Sequence, residues 1–420
     1  MYSATAQKFT CEYCGSMFEE QELKDFLASL ESEGLAPPQE EEEVVPTVQS
    51  GQEGEYLMYN CPSCGAEIVT DTTTVATNCY YCHNPIILAG KLDGNQMPDK
   101  VIPFSVDKKK ALSSFDTWVG GKRYVPASFY SKDEVEKING VYFPYWLYDT
   151  TSHVDVDREG EETYTKREGD YRVTYRRRYR VVRKGDLSIT NLPKAALKKS
   201  NKKLVENVMP FDFDRAIGFN KSYLSGFLAE RRDIEPEELR SSIEEDVFRY
   251  SQEVTTQSMD RDRVPVQKGD VTWERGSFHY ALLPVWTITY NDKDSNKIFS
   301  FSVNGQSGKV VGELPIDKVK LTLFSLLMSL PVMVVLLLAM YLINDHSLSG
   351  FSWLIGIGIP VLIFFTHMNM VIRSYTMTEG GHSASVSQVF YNTKEPVRFA
   401  VKHNYDLGTT TLRREKIEKK

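Results

Sequence analysis

Two unbroken apolar runs near the C-terminal end stand apart from everything before them. Leu321 to Ile343 reads LTLFSLLMSLPVMVVLLLAMYLI, and Phe351 to Ile372 is a second run; neither contains a charge. At 1.5 Å per residue the first run, as a helix, covers about 35 Å, enough for a hydrocarbon core of roughly 30 Å. Only residues 344–350 separate the runs, so the two helices turn back on each other. Pro331 and Pro360 are compatible with this, because transmembrane helices tolerate proline where neighbours satisfy the freed backbone groups. Before these runs the pattern is mixed. Strand-like stretches occur at 141–148 (VYFPYWLY), 171–182 (YRVTYRRRYRVV), 280–290 and 298–303. A helix is predicted over 235–255, with Pro236 in its first turn and Leu239, Ile243, Val247 and Val254 on one face. Leu23, Phe26, Leu27 and Leu30 mark a shorter helix. Phe143-Pro-Tyr-Trp146 and Leu283-Pro-Val-Trp286 echo each other, which hints at a duplicated unit.

The formal net charge of −7 does not advertise a nucleic-acid binder. The mean hydropathy of −0.36 is ordinary for a soluble protein and hides the bunching of apolar residues. Charge matters most beside the spans. Lys318 and Lys320 precede the first and Arg373 follows the second, while the connecting loop has no Lys or Arg. The positive-inside rule then puts the loop outside and both termini in the cytoplasm of a two-pass cell-membrane protein. Thr366, His367 and Asn369, near the cytoplasmic end of the second span, are expected at the interface or bonded to the partner helix. The N-terminus has no apolar segment of the signal-peptide type.

All six cysteines fall in Cys-x-x-Cys pairs: Cys11/Cys14, Cys61/Cys64 and Cys79/Cys82. Paired spacing in a long chain favours metal thiolates and a reducing compartment over a disulfide framework. The stretch between the second and third pairs, EIVTDTTTVAT, is β-branched and turn-rich, which predicts a short hairpin. Four thiolates at this spacing give a closed tetrahedral site for structural Zn²⁺, with Gly65 easing the turn. His83 is expected as a turn residue rather than a fifth ligand. Cys11 and Cys14 form a further knuckle without a matching half: it shares a zinc with a second chain, takes other ligands, or stays empty. No Lys or Arg occurs from Tyr56 to Gly90, so the ribbon suits protein contacts better than phosphates.

Other motif-like stretches carry less. Tyr175-Arg-Arg-Arg-Tyr179-Arg180 has the spacing of a half-exposed strand, with acidic partners available upstream at 155–162. Gly305-Gln-Ser-Gly308-Lys309 lacks the phosphate-loop spacing and predicts a hairpin turn. Asp292-Lys-Asp294-Ser-Asn296 lacks the Gly and Glu of a calcium loop. Asp212 and Asp214 suggest a strand end. There is no H-E-x-x-H or G-x-S-x-G, and the histidines are scattered.

With these residues in view, the chain resembles a family of bacterial membrane-anchored zinc-ribbon proteins, often labelled transcription-factor-type or primosomal-helicase-like. The resemblance is carried by YNCPSCGAEIVTDTTTVATNCYYCHNPIIL, VIPF at 101–104, GVYFPYWLYD at 140–149, YLSGFLAE at 223–230, and VNGQSGKVVGELP ahead of the spans. It implies a non-enzymatic role beside phage-shock protein A and flotillin-like SPFH proteins, with the SPFH partner recruited to the membrane, and Cys61, Cys64, Cys79 and Cys82 as zinc ligands. The expected architecture is multidomain. It comprises a knuckle and helix (1–31), an acidic disordered linker (32–55), a small β zinc ribbon (56–100), an α+β cytoplasmic domain (101–316), a two-helix transmembrane hairpin (317–373, spans 321–343 and 351–372) and a cytoplasmic tail (374–420). The expected function is that of an adaptor docking partner proteins at the bilayer. The alternatives are a membrane-tethered nucleic-acid or replication factor and, third, an enzyme using Cys11/Cys14.

Overall fold

The computed structural model describes residues 1–11, 14–32, 47–51, 54–61, 64, 67–79, 85–88, 94–126, 129, 138–198, 204, 207–259, 264–292, 297–343, 350–376 and 398–416. At the N-terminus β1 (Tyr2–Ser3), β2 (Lys8–Thr10) and β3 (Met17–Phe18) form an antiparallel sheet, followed by α1 (Glu20–Ser32). The Glu22 carboxylate accepts from the Glu19 backbone N–H at 2.8 Å, which closes the start of this helix. The expected linker is ordered at its C-terminal end: β4 (Thr47–Gly51) pairs with β5 (Gly54–Asn60), and β5 with β6 (Glu67–Asp71). The pairing segment, TVQSG, lies beyond the acidic block at 40–43 and carries no charge, so the ladder can satisfy its backbone without repulsion. The remainder of the linker, 33–46 and 52–53, lies outside the described residues.

The main body is a sheet of twelve strands among the described residues. It takes in β7 (Thr74–Asn78), β8 (Pro85–Ile87), β9 (Lys100–Val101), β10 (Ile138–Glu168), β11 (Tyr171–Ala195), β12 (Ile217–Gly218), β13 (Leu228–Glu230), β14 (Val271–Trp273), β15 (Ser277–Asp292), β16 (Lys297–Asn304), β17 (Val310–Gly312) and β18 (Arg398–Lys416). Helix α2 (Lys108–Gly120) follows β9, and α3 (Pro236–Gln257) follows β13. Each predicted strand lies within one of these, and α3 is the predicted helix. Glu235 and Glu238 form its capping box ahead of Pro236. Ile243 and Val247 are buried, and Leu239 and Val254 pack half-buried beside them against Tyr148, Ile189 and Leu192.

The expected domain boundaries are crossed by strands. β7, from the expected ribbon, pairs with β13 through Ala76↔Ala229. β18, from the expected tail, pairs with β11 along nearly its whole length. The expected β6–β7 hairpin does not form a ladder: β6 belongs to the β4–β5–β6 sheet and β7 to the main one. Asp71 causes the parting. Its Oδ1 accepts from the backbone N–H of Thr73 (3.1 Å) and Thr74 (2.9 Å), turning the chain between the two sheets.

The FPYW and LPVW segments meet by their first residues on the antiparallel neighbours β10 and β15, with Phe143 opposite Leu283, and run apart from there. An antiparallel ladder has a local two-fold at every pair. The surroundings select the one at Phe143–Leu283, because the sheet order β12-β9-β15-β10-β13-β7 reads as a palindrome about it. β9 runs parallel to β15 through Val101↔Leu282, and β13 runs parallel to β10 through Tyr142↔Ala229. The Ser105 and Val106 N–H groups both bond Gly305 O, and those of Asp233 and Ile234 both bond Ala196 O. Gly305 N–H donates to Pro284 O, and Ala196 N–H to Pro144 O. The echo in sequence therefore marks a structural duplication in which each half lends its first strands and helix to the other.

The resemblance motifs meet in this core. Phe104 stacks on Phe227 at 4.2 Å and sits edge-on to Tyr142 (5.0 Å) and Trp286 (5.1 Å). Gly140 and Gly305 leave room for it: a Cβ would come within 2.6 Å of Phe227 at the first and 2.7 Å of Phe104 at the second.

Two helices, α4 (Lys318–Ile343) and α5 (Gly350–Thr376), are long and apolar enough to span a membrane, with mean hydropathies of 2.6 and 1.9 over their spans. Their apolar side chains point outward; Leu323 is 62% exposed and Leu354 70%. A core helix would bury these groups. The base of the pair is locked to the main body. The Tyr124 N–H donates to Tyr375 Oη at 2.8 Å, the Asp317 N–H to Tyr124 O at 2.8 Å, and Leu321, Val371 and Tyr375 join the main core. His367 bridges the helices and the body, with Nδ1 2.9 Å from Ser325 Oγ and Nε2 3.4 Å from Tyr124 Oη. This matches the expected inter-helix bond.

Beyond the body, β10, β11 and β18 continue as a three-stranded arm; residues 155–168 alone extend it by roughly 45 Å. Its Arg-rich strand is charge-matched by neighbours. Arg180 grips Asp157 with both ends of its fork (2.6 and 2.5 Å), Arg176 lies 3.6 Å from Glu161, and Arg177 lies 3.4 Å from Asp406.

Candidate metal centre

Cys61 follows β5, Cys64 stands one turn later, and Cys79 follows β7. Two sheets thus deliver the cysteines from opposite sides. Tyr59, Ile68, Ile86 and Leu88 bury Cys61 and Cys79 in a small apolar cluster of their own, while Cys64 faces solvent. The three sulfurs lie within 4.8 Å of one another, and Cys64 Sγ is 3.7 Å from Cys79 Sγ. A disulfide needs about 2.05 Å, so these thiols are not bonded to each other. Two ligands of a tetrahedral ion with metal–sulfur distances near 2.3 Å stand about 3.8 Å apart, and the observed spacing fits that requirement. The three cysteines could therefore hold a metal ion. Cys82, the expected fourth ligand, lies outside the described residues, as do Gly65 and His83.

The centre is tied to the main body by contacts that cysteine spacing does not reveal. The Arg231 backbone N–H donates to Thr73 O at 2.8 Å, and its Nε donates to Thr72 O at 3.0 Å. The Thr73 hydroxyl donates to Glu230 Oε2 at 2.7 Å. Arg231 also acts on Tyr59 beside the cysteines: burial pushes the Tyr59 phenol up, and the guanidinium offsets part of that rise. Glu230 ends the YLSGFLAE stretch, which was the one signal in the sequence that this edge is special.

Cys11 and Cys14 are not brought to the other cysteines; among the described residues they join no group of three metal-capable side chains. The remaining motif-like stretches have structural duties. At 304–309, Asn304 Oδ1 accepts from the Gln306 and Ser307 N–H groups and Gly308 adopts φ +79°, forming the expected turn between β16 and β17. Asp212 is not a strand end but caps a helical turn at Phe213–Arg215, with the Asp214 N–H donating to its carboxylate. Residues 293–296 lie outside the described residues.

Among curated proteins, the chain is similar to the uncharacterized protein YdjG of Bacillus subtilis (strain 168). The two are 29% identical over a stretch covering 63% of this chain and 92% of the relative. No protein-family description and no solved structure matches the chain.

Proposed function

We propose that this protein is a non-enzymatic adaptor of the bacterial cell membrane. In this proposal Zn²⁺ on Cys61, Cys64, Cys79 and Cys82 folds a ribbon that docks cytoplasmic protein partners. The observation carrying it is the continuity from cysteine centre to hairpin. The cysteine cluster is fastened to β13, β13 pairs with β10, and the body holding them is locked to α4 and α5 through Tyr124 and Tyr375. A centre with two buried thiols suits structural zinc, which supplies folding energy to a module with little core of its own. The basic flanks Lys318, Lys320 and Arg373 favour both termini on the cytoplasmic side. The resemblance supplies the partner class, a flotillin-like SPFH protein or phage-shock protein A.

The nucleic-acid alternative loses its main support in the arm, where Arg176, Arg177 and Arg180 face carboxylates of the same sheet. The deciding experiment is a detergent pull-down of the tagged full-length protein with zinc analysis of the same sample, repeated with Cys61→Ser and Cys79→Ser. Expected are zinc and a co-purifying membrane-associated partner in the wild type, with both lost and membrane insertion kept in the variants. Partner binding that persists without zinc would overturn the proposal.

A further inference from the structure

The first cysteine pair has the build of a metal knuckle but too few ligands for a metal. It forms the tip of the β2–β3 hairpin, whose Phe9↔Phe18 and Thr10↔Met17 pairs fix the base. The Cys11 N–H donates to Ser16 O at 2.9 Å and the Gly15 N–H to Cys11 O at 2.9 Å, with Gly15 at φ +71°. The turn is backed by aromatic packing. Tyr2 and Phe9 pack their rings on Tyr223 at 5.0 and 5.1 Å, inside the main core. The tip itself points away, with Cys14 exposed and Cys11 half-buried. Beside it Met17, on β3, is 58% exposed.

We propose that Cys11 and Cys14 are one half of a zinc site completed by the same two cysteines of a second copy, with Met17 closing the contact beside it. Two thiolates leave a tetrahedral ion two ligands short, and the closed structural set is most simply finished by two more thiolates. An identical knuckle related by a two-fold axis through the metal supplies them, and such a contact is self-complementary. Met17 then leaves water where a lone chain would expose it. Chains inserted in one bilayer in the same orientation can share only a two-fold along the membrane normal, which the proposal therefore requires. The thiols release their protons to solvent as the ion binds, and no electron is transferred. The site does not depend on the Cys61–Cys79 centre, whose cysteines are kept in every variant of the test.

Full-length protein in detergent with a thiol reductant is measured for zinc per chain and for mass, beside a Cys11→Ser/Cys14→Ser double variant. The wild type is expected to be a dimer carrying about half an equivalent more zinc per chain than the variant, and the variant a monomer. A Met17→Glu variant keeps every cysteine and is expected to shift the wild-type dimer toward monomer, which separates a lost contact from a misfolded tip. Equal zinc in wild type and double variant would overturn the proposal. So would a whole extra equivalent on a monomer, or a dimer that survives loss of both cysteines.

Discussion

Trp146 and Trp286 occupy equivalent places on neighbouring antiparallel strands and make the same hydrogen bond. The Trp146 indole N–H donates to Ile234 O at 2.9 Å, and the Trp286 indole N–H donates to Val106 O at 2.8 Å. Each carbonyl belongs to the residue just ahead of a helix N-cap, Glu235 for α3 and Asp107 for α2. Each tryptophan thereby fixes the entry to the other half's helix, so neither half is a complete folding unit. The halves differ in what covers the indoles. Phe104 lies edge-on to Trp286, while its counterpart Arg232 places its guanidinium 4.8 Å from the Trp146 ring centre.

Replacing either indole with phenylalanine should therefore destabilise the body in the same manner. Trp286→Phe leaves the buried Val106 carbonyl without this donor, at an expected cost of about 1–3 kcal/mol; Trp146→Phe, at a part-buried bond, should cost about 1 kcal/mol. Thermal unfolding of the detergent-solubilised protein measures both. A Trp286→Phe protein as stable as the wild type would contradict the staple.

Much of this body is legible in the sequence, for a physical reason in each case. VYFPYWLY is a continuous apolar run because both faces of β10 are covered there, and α3 shows its face because only one side meets the sheet. The two helices long and apolar enough to span a membrane are legible because each contains a long run without a charge. The two-fold leaves only the FPYW and LPVW echo, since its defining bonds join backbone groups that any residue supplies and Phe104 has diverged to Arg232. β18 is invisible for the opposite reason. Its side chains over 402–410 are exposed on both faces, so no apolar period betrays a strand, and its partner β11 lies far away in the chain. The cysteine site is legible as spacing, but its attachment through Thr73, Glu230 and Arg231 is not, because ordinary polar residues make it.

The joint between body and hairpin is expected to depend on the Tyr375 hydroxyl. Tyr375→Phe removes the acceptor of the buried Tyr124 N–H and should weaken the joint by about 1–3 kcal/mol. Hydrogen exchange in micelles reads this directly: the segment holding Tyr124 should exchange faster in the variant, while α3 keeps its wild-type protection. Unchanged protection at Tyr124 would show that the hydroxyl is dispensable.

A modest pH dependence is expected at the base of the arm. His153 Nδ1 lies 2.7 Å from Asp186 and Nε2 lies 3.5 Å from Glu274, and the Asp186 hydrogen bond in particular raises its pKa. A raised imidazolium contributes stability that is complete below about pH 6.5 and fades as pH rises through the raised value. Solvent screening keeps the effect small. The melting temperature of the wild type should exceed that of His153→Gln by more at about pH 6 than at about pH 8. An equal difference at the two pH values would assign no role to the charge.

Arg183 decides whether β18 stays on the sheet. Its side chain is fully buried, and its guanidinium donates to five acceptors on three elements: Val182 O at 2.8 Å, His403 O at 3.0 Å, Asn404 Oδ1 at 2.8 Å, and Ser258 O and Oγ at 2.9 and 3.0 Å. One side chain thus joins β11, the end of α3 and the returning strand β18. β18 adds little apolar burial of its own, so its attachment rests on the ladder and on this cluster. Arg183→Met keeps much of the volume but removes every donor, and each buried acceptor left unsatisfied costs on the order of 1–3 kcal/mol. That exceeds what an exposed edge strand recovers from side-chain contacts, so β18 is expected to detach before the main body unfolds. Limited proteolysis should then cut within 398–416 at protease levels that leave the wild type whole, while the tryptophan-stapled body remains intact. Asn404→Ala, which removes one acceptor and leaves the guanidinium its other four, should produce the same cut only at higher protease. If Arg183→Met resists cleavage as the wild type does, the ladder alone holds the strand.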